Sequence, residues 1–185
     1  MRTLALFLLA LAINLAGAAP TQRCNLNFQT PADRVFAQLS GTNAWQEFEN
    51  IEKVPVLVTD GGISAELWRR TDGIISVRTV EPGEDFWIYS KYCFTRNGRL
   101  DRIAFELRTA WGWGYRLEAA IENGAIRAPS SGFFDTATSK SIPRPEQADD
   151  IAEALRPRLY IQTMQLPFSN LIARRSQSVH SLATH

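Results

Sequence analysis

Carboxylates are the only groups in the body of this chain whose types and spacing could carry acid–base chemistry. Both histidines, His180 and His185, fall at the extreme end of the sequence. This removes Ser-His-Asp and Cys-His catalysis in their usual forms, and every histidine-based zinc site. No GxSxG elbow, phosphate-binding P-loop or dinucleotide glycine pattern is present, so neither cofactor nor metal is expected. Glycoside cleavage would need two carboxyl groups roughly 5 to 10 Å apart beside an aromatic surface. Glu106 and Glu118 are the pair that strand register could bring together, with Trp87 and Tyr89 beside them.

That register follows from the turns. Between Ser64 and Ala128, strand-like runs are broken at Asp72-Gly73, Pro82-Gly83, Asn97-Gly98 and Asn123-Gly124, all strong turn signals. A two-residue loop at Asn97-Gly98 sets Ile88 opposite Leu107. Extending the count over every turn puts Trp68, Val77, Ile88, Leu107 and Ala119 in one row of an apolar face. The opposite face carries Arg78, Trp87, Arg108 and Glu118 in one row, with Tyr89 and Glu106 in the next. Alternating Arg, Trp and Glu across strands is also how an exposed sheet stabilises itself by ion pairs and cation–π contacts, and the sequence favours this structural role. A noncatalytic binding face on Arg78, Trp87, Tyr89, Arg108 and Trp113 ranks next, and catalysis by Glu106 and Glu118 last.

Trp113 belongs to the stretch Ala110–Tyr115, "AWGWGY". Apolar residues keep the odd positions from Ile103 to Ile121, a parity that a three-residue loop preserves. The loop expected is Gly112-Trp113-Gly114, with Trp111 opposite Tyr115 capping the core, Arg108 across from Glu118 and Trp113 at an exposed tip. A continuous strand bent at the glycines is the alternative.

Around the strands, helices are expected. Thr30-Pro31 with Asp33 has the form of a helix start, Val35, Phe36 and Leu39 supply an apolar face, and Gly41 ends it. Trp45 and Phe48 continue a helical spacing, and Val54–Val58 reads as a strand. After Ala128 the chain loosens into a loop or irregular edge strand anchored by Phe133-Phe134. A C-terminal helix follows from about Pro145, with Ala148, Ile151, Ala152 and Leu155 on one side, ending before Pro157. The fold class is therefore α+β: an antiparallel meander of five or six strands with N-terminal helices, and a C-terminal helix packed on its apolar face. A small lipocalin-like barrel is the competing architecture.

The first residues, Arg2, the apolar run Leu4–Leu15 and Ala16-Gly17-Ala18, have the pattern of a secretory signal peptide over 1–18. The run is short of the ~20 residues that span a bilayer. A single domain over 19–173 and a disordered tail over 174–185 complete the organisation, and no transmembrane segment is expected after signal removal. Without Arg2 the chain has 19 Lys and Arg against 19 Asp and Glu, a balance that gives no attraction to nucleic acid. Cys24 and Cys93, in an oxidising compartment, imply a disulfide. It would close a loop of about 70 residues and contribute roughly 4 kcal/mol on the chain-entropy estimate. These features describe an exported, periplasmic or secreted, noncatalytic binding domain whose partner is a small molecule, a glycan or a protein. A small carbohydrate-active hydrolase and a carrier of apolar ligands or lipids are the alternatives.

Overall fold

The computed structural model describes Cys24, Leu26 and Phe28, residues 31–38, 41, 42, 44–55 and 62–173. The expected signal peptide and tail, and most of Val54–Val58, lie outside the described residues. The described residues form one antiparallel sheet of nine strands: β1 Arg34–Gln38, β2 Trp45–Phe48, β3 Ile63–Arg69, β4 Ile75–Pro82, β5 Phe86–Phe94, β6 Leu100–Thr109, β7 Trp113–Glu122, β8 Ala125–Asp135 and β9 Ser141–Ile142. The spatial order is β2-β1-β3-β4-β5-β6-β7-β8-β9, so β3 to β9 are a plain meander and β1 is wedged between β2 and β3. No β2–β9 pairing closes the sheet among the described residues, and the lipocalin-like barrel is not formed.

The α+β expectation is overturned, because the N-terminal helices are strands. Val35 and Ala37 are buried on one face of β1 and Phe36 on the other, the signature of a central strand covered on both sides. Asp33, which has the position of a first-turn helix acid, instead accepts the backbone N–H of Arg69 at 2.5 Å. Trp45 and Phe48, three apart, point to opposite faces of β2. Trp45 packs 4.9 Å from Phe168, while Phe48 joins Val35, Ala37 and Val54. Long-range pairing has overridden local helix signals.

The helix expected from about Pro145 does not form either. Residues 143–173 are an irregular strap with 3-10 turns at Glu146–Ala148 and Thr163–Gln165, and one helical turn from Ser169. Between Pro145 and Arg156 the backbone bonds span three residues, as in Ala148 N–H to Pro145 C=O and Ala154 N–H to Ile151 C=O. A segment this short, stopped by Pro157, is a marginal α-helix. Its apolar side chains still pack on the sheet. Ala148, Ile151, Ala154 and Leu155 cover Phe105, Leu107 and Trp113. Leu166, Phe168 and Tyr160 cover Phe36, Leu67, Val77, Tyr92 and Ile103.

The strap is also tied down by polar bonds. The Tyr92 hydroxyl donates to the Arg158 carbonyl at 3.1 Å, and Arg34 donates to the carbonyls of Leu171 and Ile172. Leu100 and Gly98 exchange backbone bonds with Ile161 and Thr163. Arg158 pairs with Glu81 of β4 at 3.2 Å.

Register explains which expected neighbours meet. Ile88 stands opposite Leu107 as expected, but not through a two-residue loop: Thr95 N–H donates to the Arg99 carbonyl around a three-residue loop, and a bulge between Cys93 and Phe94 restores the register. Asp72-Gly73 likewise closes a loop one residue longer than expected, with Arg70 N–H on the Ile74 carbonyl and Gly73 at φ 85°. Leu67 thus takes the place opposite Val77, and the single-residue slip moves Trp68 to the outer face. Around the tryptophans the loop has three residues, but it is Ala110-Trp111-Gly112, with Gly112 at φ 86°. Tyr115 faces Leu107 and Gly114 faces Arg108. Trp111 is the exposed tip, and Trp113 is buried in the core.

Gly114 is required for a second reason. A Cβ there would sit 2.6 Å from the Leu107 carbonyl oxygen and inside the Phe134 ring. Gly114→Ala is expected to lower stability by about 1–3 kcal/mol through overpacking, read as a lower midpoint in urea. A pH effect follows from Glu81. Burial raises its pKa above the ordinary 4.5, against the pull of Arg158. The proton thus binds the folded state more tightly than the unfolded chain. The stability this adds is complete at pH below 4.5 and is lost as pH rises through the folded value. In thermal melts, the Tm of a Glu81→Gln variant relative to the parent should be higher at pH 8 than at pH 4.

Candidate functional site

With the inner face under the strap, the outer face of β4 to β8 carries the exposed chemistry. One side of it is occupied. The Cys24–Cys93 disulfide, with Cα atoms 5.9 Å apart, holds the N-terminal segment on this face, and Phe28 stacks on Trp68 with centroids 4.2 Å apart. Trp68 is available for this contact because of the slip at Asp72-Gly73. The Lys91 ammonium lies 5.8 Å from the Phe28 ring centroid, where this contact borders the groove.

Beyond the segment lies an open groove of about 490 Å³. Register builds it: Arg78 faces Lys91, Tyr89 faces Glu106, Glu106 faces Arg116 and Glu118 faces Ser130. Long side chains form its walls. Ala104, opposite both Lys91 and Glu118, and Ser130 leave its floor low.

Four cations and two carboxylates line the groove, and most of them are paired. Arg108 Nε donates to Glu106 at 2.5 Å, and Arg102 reaches Glu118 at 2.7 Å. Arg78 Nε donates at 2.6 Å to Glu66, which is only 7% exposed. Lys91 and Arg116 have no carboxylate within 4 Å among the described residues. The Arg116 guanidinium sits 4.2 Å from the centroid of Phe134, a ring itself buried, and Nη2 donates to the Ser139 carbonyl at 3.3 Å. Phe134 is thus a plate holding Arg116 at the groove, with Arg108 5.9 Å from the same ring.

Of the residues singled out from sequence, the structure gathers Arg78, Tyr89, Glu106, Arg108 and Glu118 in this groove. Trp87 lies on the same face opposite Arg108 but not in the lining, and Trp113 is in the core. Glu118 faces Ala104 rather than Arg108, so Glu106 and Glu118 are diagonal neighbours. Lys91 and Arg116 were not among the expected site residues, although alternation from Tyr89 and from Glu118 puts both on this face. Phe134 required β8, which the sequence left open as a loop or irregular edge strand.

No three His, Cys, Asp or Glu side chains among the described residues form a metal-binding group. No described helix is long and apolar enough to cross a membrane. No known protein family, curated protein or solved structure matches the chain.

The Glu66–Arg78 contact gives this site a testable structural role. Arg78→Met would leave a buried carboxylate without its guanidinium, at a cost of about 2 kcal/mol. The double variant with Glu66→Gln should recover most of it, a coupling readable by a double-mutant cycle in urea.

Proposed function

We propose that this protein is an exported, noncatalytic binding domain whose outer groove takes an acidic glycan, one bearing carboxylate or sulfate groups. The observation that carries this reading is the placement of Lys91 and Arg116, two cations with no carboxylate partner among the described residues, in one open groove with Tyr89: Lys91 lies two residues along β5 from Tyr89, and Arg116 lies across Glu106 from it. Each cation can meet an anionic group of a bound chain, and Tyr89 offers a ring for a sugar face to stack on. Planar guanidinium suits both carboxylate and sulfate. Export is supported by the leader-like residues 1–18 together with the Cys24–Cys93 disulfide, which persists in oxidising compartments; periplasm and extracellular space fit equally.

The hydrolase reading rests on Glu106 and Glu118. Each is already held by a guanidinium, Arg108 and Arg102 respectively, whereas glycoside cleavage needs one of the pair to hand a proton to the leaving oxygen. This favours binding over turnover.

The test is a titration at low salt with dextran sulfate, polygalacturonate and neutral dextran. The two polyanions should bind and dextran should not. Lys91→Ala and Arg116→Ala should each weaken binding roughly tenfold. Glu106→Gln should tighten it by removing a negative charge, and added salt should weaken it. Equal affinity for dextran, or reducing sugar released by the native chain and abolished in Glu106→Gln, would sink the proposal.

A further inference from the structure

The strap does not fill the space it covers. Between it and the inner sheet face lies a cavity of about 600 Å³, walled by Ile63, Phe86, Ile88 and Phe105 from the sheet and by Ala154 and Pro157 from the strap, with the Glu153–Arg156 ion pair at its strap side. Glu81 and Arg158 line this cavity and also a smaller one of about 220 Å³, which Trp45, Thr79 and Tyr160 line as well. The Glu81–Arg158 pair therefore stands where the two spaces meet.

The two members of that pair are unequally placed. The Glu81 side chain is 15% exposed, whereas that of Arg158 is 66% exposed. The carboxylate is thus the desolvated partner, compensated by one guanidinium that lies mostly in water. Thr79 deepens the imbalance. It is 4% exposed, lines the smaller cavity, and its Oγ1 has no hydrogen-bond partner among the described residues. Buried hydroxyls are normally satisfied, so this one is an unused hydrogen-bonding group at the buried end of the space. Trp45 and Tyr160 complete the lining with aromatic rings, which attract cations.

We propose that the space under the strap is a second binding site, specific for a small organic ammonium ion with an apolar body. Glu81 holds the charge, Thr79 Oγ1 accepts an N–H, Trp45 and Tyr160 add cation–π attraction, and the apolar body lies along Ile63, Ile88 and Phe105. Arg158 is the resident cation that the ligand replaces, and its exposure lets it move to solvent. An anionic ligand is disfavoured because it would have to share the buried end of the site with Glu81. The site is separate from the outer groove and stands or falls independently of it.

Isothermal titration calorimetry of the full chain with phenethylammonium, phenylacetate and phenethyl alcohol tests the assignment. The three probes share a ring and a tether and differ in the head group. Phenethylammonium should bind, with the other two at least tenfold weaker. Glu81→Gln and Thr79→Val should each weaken it roughly tenfold, the size of a lost hydrogen bond to a charged group. Arg158→Gln should strengthen it about threefold by removing the competing cation from a half-exposed pair. Phenylacetate binding as well as the amine, no heat with the amine, or weaker amine binding in Arg158→Gln would each overturn the proposal. Thr79→Val should leave dextran sulfate affinity unchanged, so failure here is distinguishable from failure of the outer groove.

Discussion

A single sheet has two faces, and the chain must keep apolar side chains on one of them out of water with no long helix among the described residues to cover it. The strap over 143–173 meets that constraint, and much of the rest follows from it. Leu166 and Phe168 are almost completely buried against Phe36, Leu67, Val77 and Ile103, and each buried side chain of this size contributes about 1.5–3 kcal/mol. Because the cover is irregular rather than helical, it follows the sheet closely at Phe168 and Ala148 and stands off from it around Glu81. The same choice of cover thus creates a core at both ends and a cavity in the middle.

Covering most of the inner face leaves the outer one as the broad open surface, and there the disulfide sets the boundary. Cys93 sits on β5 two residues from Lys91, so the disulfide holds Cys24 beside the groove. Trp68 and Phe28 cover the β3 side, and Arg78 turns to neutralise Glu66 at the border. What remains open is the strip from Tyr89 to Arg116, where short residues at Ala104 and Ser130 interrupt long charged ones. Phe134, buried below, keeps Arg116 in place. The groove is a consequence of register and side-chain length, with no irregular loop needed to build it.

Much of this was legible from the turns. Alternation from β4 to β7 correctly divided inner from outer residues, and Tyr89 lies beside Glu106 as counted, because a bulge between Cys93 and Phe94 offsets the extra residue in the Asn97-Gly98 loop. The errors have particular causes. A turn of three residues at Thr71–Gly73 instead of two reversed the faces of β3, which hid Trp68 as the platform for Phe28. In "AWGWGY" two glycines could each supply the left-handed residue. The chain uses Gly112, because Gly114 must give its side-chain space to Phe134, a contact no local pattern reveals. The N-terminal helix signals failed because β1 is buried on both faces, and a strand with apolar residues at consecutive positions has no two-residue period to read. The C-terminal segment has true helical spacing, yet its turns close one residue short of α and its packing comes from the sheet.

The central proposal is that the strap covers the inner face and that acidic ligands meet the outer face in the groove of Tyr89 and Arg116. Backbone amide chemical shifts recorded during titration with a short sulfated oligosaccharide test this most directly. The account predicts perturbations clustered at residues 78, 89–91, 104–108 and 114–118, with the strap at 146–168 unmoved. Shifts concentrated in the strap, or spread evenly over surface cations far from the groove, would contradict it.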